Sequence, residues 1–251
     1  MIDYFSGREE IIALIFGGSV AKGCERPDSD LDAMVVVTED YYRQRQEQDS
    51  VTETIDGLCT YEGGYFDVKY MTKAYLQNAA DHASEPTRNS FLGSRVLFTS
   101  DSEIPGIVAR IPVFQQREKA EKQLSFFSNL WLNHNYFWKA CKPEGYMKTH
   151  VISEIVYSVY RLILQENEIL FPCNRRLEEF VEKAPNKPEG IVELCRAFCE
   201  QQTDDLCDRV YDAFCGWTSF DTGLDSSAML SSYTADFEQW WNVPRPFINE
   251  W

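Results

Sequence analysis

The sequence predicts an α/β domain built on a mixed sheet, followed by an all-α helical-bundle domain, and three observations predict it. In the first hundred or so residues, short aliphatic and β-branched runs alternate with glycine-rich and polar turn signals. Beyond them the strand signals fade and apolar residues recur at helical spacing. All six tryptophans lie in that second part. The expected domains are residues 1–108 and 109–251, with the break near Pro105-Gly106 and Pro112 and the second domain closing a cleft over the first.

Each element has its own signal. IIALIF, residues 11–16, is an apolar block ended by Gly17-Gly18, which fits a buried strand entering a tight turn. A short segment at residues 19–23 and a polar loop through Pro27 lead to LDAMVVV, residues 31–37, where the valines favour a strand. DYYRQRQEQD reads as a helix or an exposed connection. VTETIDGLCTY and GYFDVKYM, separated by Glu62-Gly63-Gly64, read as a hairpin. A helix is expected over residues 72–82 and a last strand over RVLFT, residues 95–99. In the second part Ile152, Ile155, Val156, Val159, Tyr160 and Ile163 follow the i, i+3, i+4 pattern of one helix face, and similar spacing recurs in the stretches that begin at Glu121 and Val192. The tail from Val243, with its two prolines, reads as irregular.

Composition excludes several classes. With 251 residues, 44% hydrophobic and 14% aromatic, the chain can bury real cores and is not disordered. Its net charge of -16 is spread over both halves. A partner held through many phosphates needs Lys/Arg clusters, so a long nucleic acid is not expected. Hard cations prefer carboxylates, so a metal ion or a metal-bound anion is compatible with this balance. There is no membrane-length apolar run and no signal-peptide pattern, which points to a cytoplasmic protein with no membrane partner. The eight cysteines include no CxxC pair and are expected as free thiols; Cys195 and Cys199, four apart on a helix, lack a nearby His to complete a metal site. His82, His134 and His150 show no ligand spacing.

The chemistry concentrates in GGSVAKG, residues 17–23, followed by SDLDAMVVV, residues 29–37. On a strand, Asp30 and Asp32 project to the same side while Leu31 turns into the core. Two carboxylates on one face repel unless a cation lies between them, and Mg2+ takes one or two carboxylates together with phosphate oxygens. The turn Gly17-Gly18-Ser19 lets backbone N–H groups approach a phosphate, and Lys22 is close enough in sequence to reach one. Asp67, flanked by apolar residues on a neighbouring strand, can complete a triad. Three acids facing a phosphate cradle suit metal-assisted phosphoryl or nucleotidyl transfer. A D-x-D pair arises about once by chance in a chain this rich in Asp, so the ordered combination carries the argument.

GGSVAKG followed by SDLDAMVVV resembles the signature of the DNA polymerase beta-type nucleotidyltransferase superfamily. The G-S-x-A-x-G form and the helical second domain are most similar to the aminoglycoside and lincosamide adenylyltransferases and their uncharacterised relatives. That resemblance implies a nucleotidyltransferase that moves a nucleoside monophosphate from a nucleoside triphosphate, ATP among them, to a hydroxyl of a small acceptor, with release of pyrophosphate. By resemblance, Gly18 and Ser19 bind the β,γ-phosphates, Asp30 and Asp32 hold two Mg2+ ions, and Asp67 binds the catalytic metal or helps activate the acceptor. Glu154, on the amphipathic helix of the second domain, is the candidate general base, against an ordinary solvated acid. Lys69, Lys148, Arg175 and Arg176 are further cations that could reach a bound anion or simply pair on the surface. The acidic balance favours a cationic acceptor such as an aminoglycoside, and hence antibiotic resistance, over RNA. The rival readings are a transferase that nucleotidylates proteins and a non-catalytic nucleotide- or partner-binding relative; the intact trio Asp30, Asp32 and Asp67 speaks against the latter.

Overall fold

The computed structural model describes residues 1–26, 29–242 and 248–249, and the chain divides into two compact units, Met1–Val113 and Phe114–Trp251. Pro27, in the expected polar loop, and most of the tail from Val243 lie outside the described residues.

In the first unit, β1 (Ile11–Phe16), β2 (Leu31–Val37), β3 (Thr52–Asp56), β4 (Tyr65–Thr72) and β5 (Arg95–Thr99) form one mixed sheet in the order β3-β4-β2-β1-β5. β2 and β4 pair in parallel, and the other neighbours are antiparallel. The central strands β1 and β2 are covered on both faces, which is why they read as unbroken apolar runs. Met34, Val36 and Met71 share one buried cluster with Leu76, Phe91 and Ile107; Val35, Val37, Phe66 and Val68 share the other with Phe5 and Leu14. β3 stops at Asp56, short of the expected hairpin strand, because Gly57 adopts φ +77° and turns the chain out of the ladder.

Short helices surround the sheet: α1 (Ile2–Phe5), α2 (Gly18–Ala21), α3 (Glu39–Glu47), α4 (Lys73–His82), α5 (Glu85–Ser90) and α6 (Ile104–Arg110). α4 begins at once after β4 because Thr72 caps it, its Oγ1 accepting from Tyr75 N–H at 3.1 Å. Pro105-Gly106, near which the domain break is expected, lies inside α6. Proline is tolerated in a first helical turn, where its missing N–H costs no bond, and Ile104, Ile107, Val108 and Ile111 bury into the sheet's core.

The second unit is helical: α7 (Gln116–Leu132), α8 (Gly145–Glu166), α9 (Leu177–Lys183), α10 (Ile191–Gln201), α11 (Asp204–Trp217) and α12 (Ser226–Tyr233). Ile152, Ile155, Val159, Tyr160 and Ile163 of α8 are buried with Phe126, Phe127 and Leu130 of α7, which confirms the periodicity seen in the sequence. Among the described residues, no helix is long and apolar enough to cross a membrane.

Candidate active site

The antiparallel β1–β2 pair brings the glycine turn to the start of the D-x-D strand. Phe16 pairs with Ala33, and the next N–H, of Gly17, donates to Asp32 O at 3.1 Å. Gly18 then turns with φ +72°, and a Cβ built there would lie 1.6 Å from Asp32 Oδ2. Glycine is required twice over at this position, for the left-handed backbone and for the contact. The chain runs on into α2, and the turn before β5 presses on its end: a Cβ on Gly93 would lie 2.5 Å from Ala21 O.

Asp32 and Asp67 are direct partners in the parallel β2–β4 register, so their side chains leave the sheet on the same face. Lys69 follows two residues later on that face, with Nζ 3.2 Å from Asp67 Oδ2 and 3.8 Å from Asp32 Oδ1. Asp30 sits one residue before β2, where its Oδ2 accepts from Tyr65 OH at 3.3 Å; Tyr61 OH donates to the neighbouring Ser29 O at 2.6 Å.

The electrostatics follow from this crowding. Burial, then the charges of Asp30 and Asp67, raise the Asp32 carboxyl above its ordinary value, with Lys69 opposing. Burial pulls the Lys69 ammonium down, but Asp67, Asp32 and Asp30 outweigh it and leave it above its ordinary value. Asp30 raises the Tyr65 phenol.

Crowded carboxylates on one face, bridged by a side-chain ammonium, form an oxygen donor set that fits a hard divalent cation. Among the described residues no three His, Cys, Asp or Glu side chains are gathered into a ready-made metal cage. Mg2+ does not need one, since it keeps water and phosphate oxygens in its shell.

The remaining expected residues are placed as follows. Lys22 Nζ donates to Oδ1 of Asn89, buried in α5, at 2.9 Å. Glu154 lies in the second unit, where its Oε2 accepts from Asn129 Nδ2 at 2.7 Å. With Tyr157, Tyr160, Asn174, Glu178 and Gln202 it lines a cleft of about 510 Å³. His134 is buried, stacked on Tyr211 at 3.9 Å, with Nε2 2.8 Å from Asp208 Oδ1. Lys148 lies 5.4 Å from the Trp138 ring centroid, and Arg176 pairs with Glu179 at 2.9 Å. Cys195 is buried, its thiol pushed up to about 12 by that burial, while Cys199 is exposed. Asn89, Gly93, Tyr61 and Tyr65 are the neighbours that sequence reasoning missed. Only Tyr65 had a visible signal, standing two residues before Asp67 and so on the same strand face.

Residues 1–81 match a family model described as a nucleotidyltransferase domain. The chain carries a nucleotidyltransferase domain. Nucleotidyl transfer is the general activity of that family, and the chain is a nucleotidyltransferase by class. The match includes the glycine turn and Asp30, Asp32 and Asp67, whereas α5, β5, α6 and the helical unit lie beyond it. Among solved structures, a nucleotidyltransferase-like protein from Exiguobacterium sibiricum is similar at 10% identity and a TM-score of 0.42, covering 98% of this chain and 79% of that one. A likeness so loose carries no argument about the nucleotidyltransferase site. No curated protein matches the chain.

Proposed function

We propose that the protein moves a nucleoside monophosphate from a nucleoside triphosphate, ATP being the first to test, to a hydroxyl of a small cationic acceptor such as an aminoglycoside, and releases pyrophosphate. The observation that carries this reading is the packing of Gly18 on Asp32, with Asp67 beside Asp32 in register. It sets a glycine turn, of a kind suited to phosphate, against paired carboxylates.

In this reading the N–H groups of Gly18 and Ser19 hold the β,γ-phosphates. Bound by Asp30, Asp32 and Asp67, two Mg2+ ions would neutralise the triphosphate and align it. The acceptor oxygen attacks the α-phosphorus in line; that P–O bond forms as the bond to pyrophosphate breaks. The hydroxyl proton passes to a carboxylate, Asp67 in this reading. The net charge of -16 supports a cationic acceptor by attracting it to the surface.

Pyrophosphate release, measured with each common triphosphate and a panel of hydroxylated amines with and without Mg2+, tests the proposal. Wild type should turn over one acceptor only with Mg2+, and Asp32→Ala should lose about 10²-fold or more. An Asp32→Ala protein as active as wild type would overturn it. Asp67→Asn, compared with wild type over pH, tests that role.

A further inference from the structure

We propose that Lys69 is a built-in counter-cation for Asp32 and Asp67, displaced by an arriving divalent ion and then turned toward the triphosphate. This rests on the metal-site reading above and adds a role for a residue of this chain outside the acid trio.

Three observations carry it. First, the Lys69 ammonium pairs with Asp67 at 3.2 Å and reaches toward Asp32 at 3.8 Å, both longer than the about 2.7–2.9 Å of a strong charge-assisted bond. Lys73, four residues on, shows the strong form: its Nζ sits 2.6 Å from Asp101 and 2.5 Å from Glu103. Second, the Lys69 side chain is 52% exposed, so its flexible stem has room to swing while register with Met34 fixes its strand position. Third, Lys22, the other lysine near the turn, is tethered to the buried Asn89, whereas Lys69 is held by the carboxylates a metal would claim.

The physical consequence is competition followed by coupling. A divalent ion alone must displace an ammonium already in place, which weakens its binding. A divalent ion arriving with a triphosphate gives that ammonium a new anionic partner, so metal and nucleotide favour each other's binding.

The test measures Mn2+ binding by the loss of its free electron-paramagnetic-resonance signal, on the full chain, with and without an α,β-methylene ATP analogue. Lys69→Met should bind Mn2+ alone roughly tenfold more tightly than wild type, and the gain in affinity on adding the analogue should shrink by a similar factor. Lys69→Arg, which keeps the charge, should stay close to wild type in Mn2+ affinity. In EDTA, Lys69→Met should melt below wild type and recover when Mn2+ is added. Unchanged or weaker Mn2+ binding by Lys69→Met, or a melting loss that Mn2+ does not restore, overturns the proposal. Equal Mn2+ binding by wild type and Asp32→Ala would sink the metal-site reading itself, and it shows before any Lys69 variant is made.

Discussion

Gly18 lies against Asp32 so closely that a single methyl group on Gly18 would overlap the Asp32 carboxylate, at 1.6 Å from Oδ2. The turn and the D-x-D strand are therefore one packed unit. Gly23 supplies the control, because it shares the left-handed backbone, φ +67°, but a Cβ there meets nothing within 4 Å. Gly23→Ala should cost about 1 kcal/mol of stability from backbone strain and leave pyrophosphate release intact. Gly18→Ala should cost more and lower pyrophosphate release about 10²-fold, since Asp32 must move. Thermal melts and initial rates on the two variants decide whether the contact or only the backbone matters.

Asp32 also makes a pH-dependent contribution. Its folded-state value is raised, so between the ordinary 3.8 and that raised value the folded state holds the proton more tightly than the unfolded one. Stability from this group is thus greatest at low pH and falls as pH rises through that window. Asp32→Asn should remove the fall: in urea titrations from pH 4 to 7 with EDTA, wild type should lose stability relative to the variant as pH rises. A constant difference would show that Asp32 is not the crowded carboxylate described above.

Divalent ions should reverse that cost. Saturating Mg2+ at about 100 times its dissociation constant should stabilise wild type by about 2.7 kcal/mol, and removal with EDTA should return it. Asp32→Ala should show little of this shift in the same melts. Equal stabilisation of both proteins would place the ion elsewhere.

Arg88 tests the scaffold apart from the chemistry. It is fully buried, and its guanidinium donates to Ala83 O at 3.0 Å, Ile111 O at 3.0 Å and Ala80 O at 3.3 Å. It ties the end of α4 to the segment after α6, and a planar fork is needed to reach three carbonyls. Arg88→Met should cost about 3 kcal/mol in urea unfolding, and Arg88→Lys should recover only a fraction of it.

Much of the candidate site was legible in the chain. Gly17-Gly18-Ser19, Asp30 and Asp32 are local in sequence, and strand alternation alone places Asp67 and Lys69 on one face. α6 was not read from the sequence because Pro105 and Gly106 are breakers in most contexts, and only burial of Ile104, Ile107 and Ile111 makes a helix of that stretch. The contact of Tyr61 with Ser29 spans more than thirty residues and leaves no pattern to read.

The sequence by itself determined the strand and helix periods, the two-part organisation of the chain and the candidate residues for chemistry, because these depend on neighbours a few positions apart. Tertiary structure alone decided that Asp67 stands beside Asp32 and not one residue out of step. It also decided that Gly18 touches a carboxylate and that Lys69 bridges two of them. Those relationships are set by the pairing register of separate strands, which comes from burying both sheet faces at once and not from any local preference.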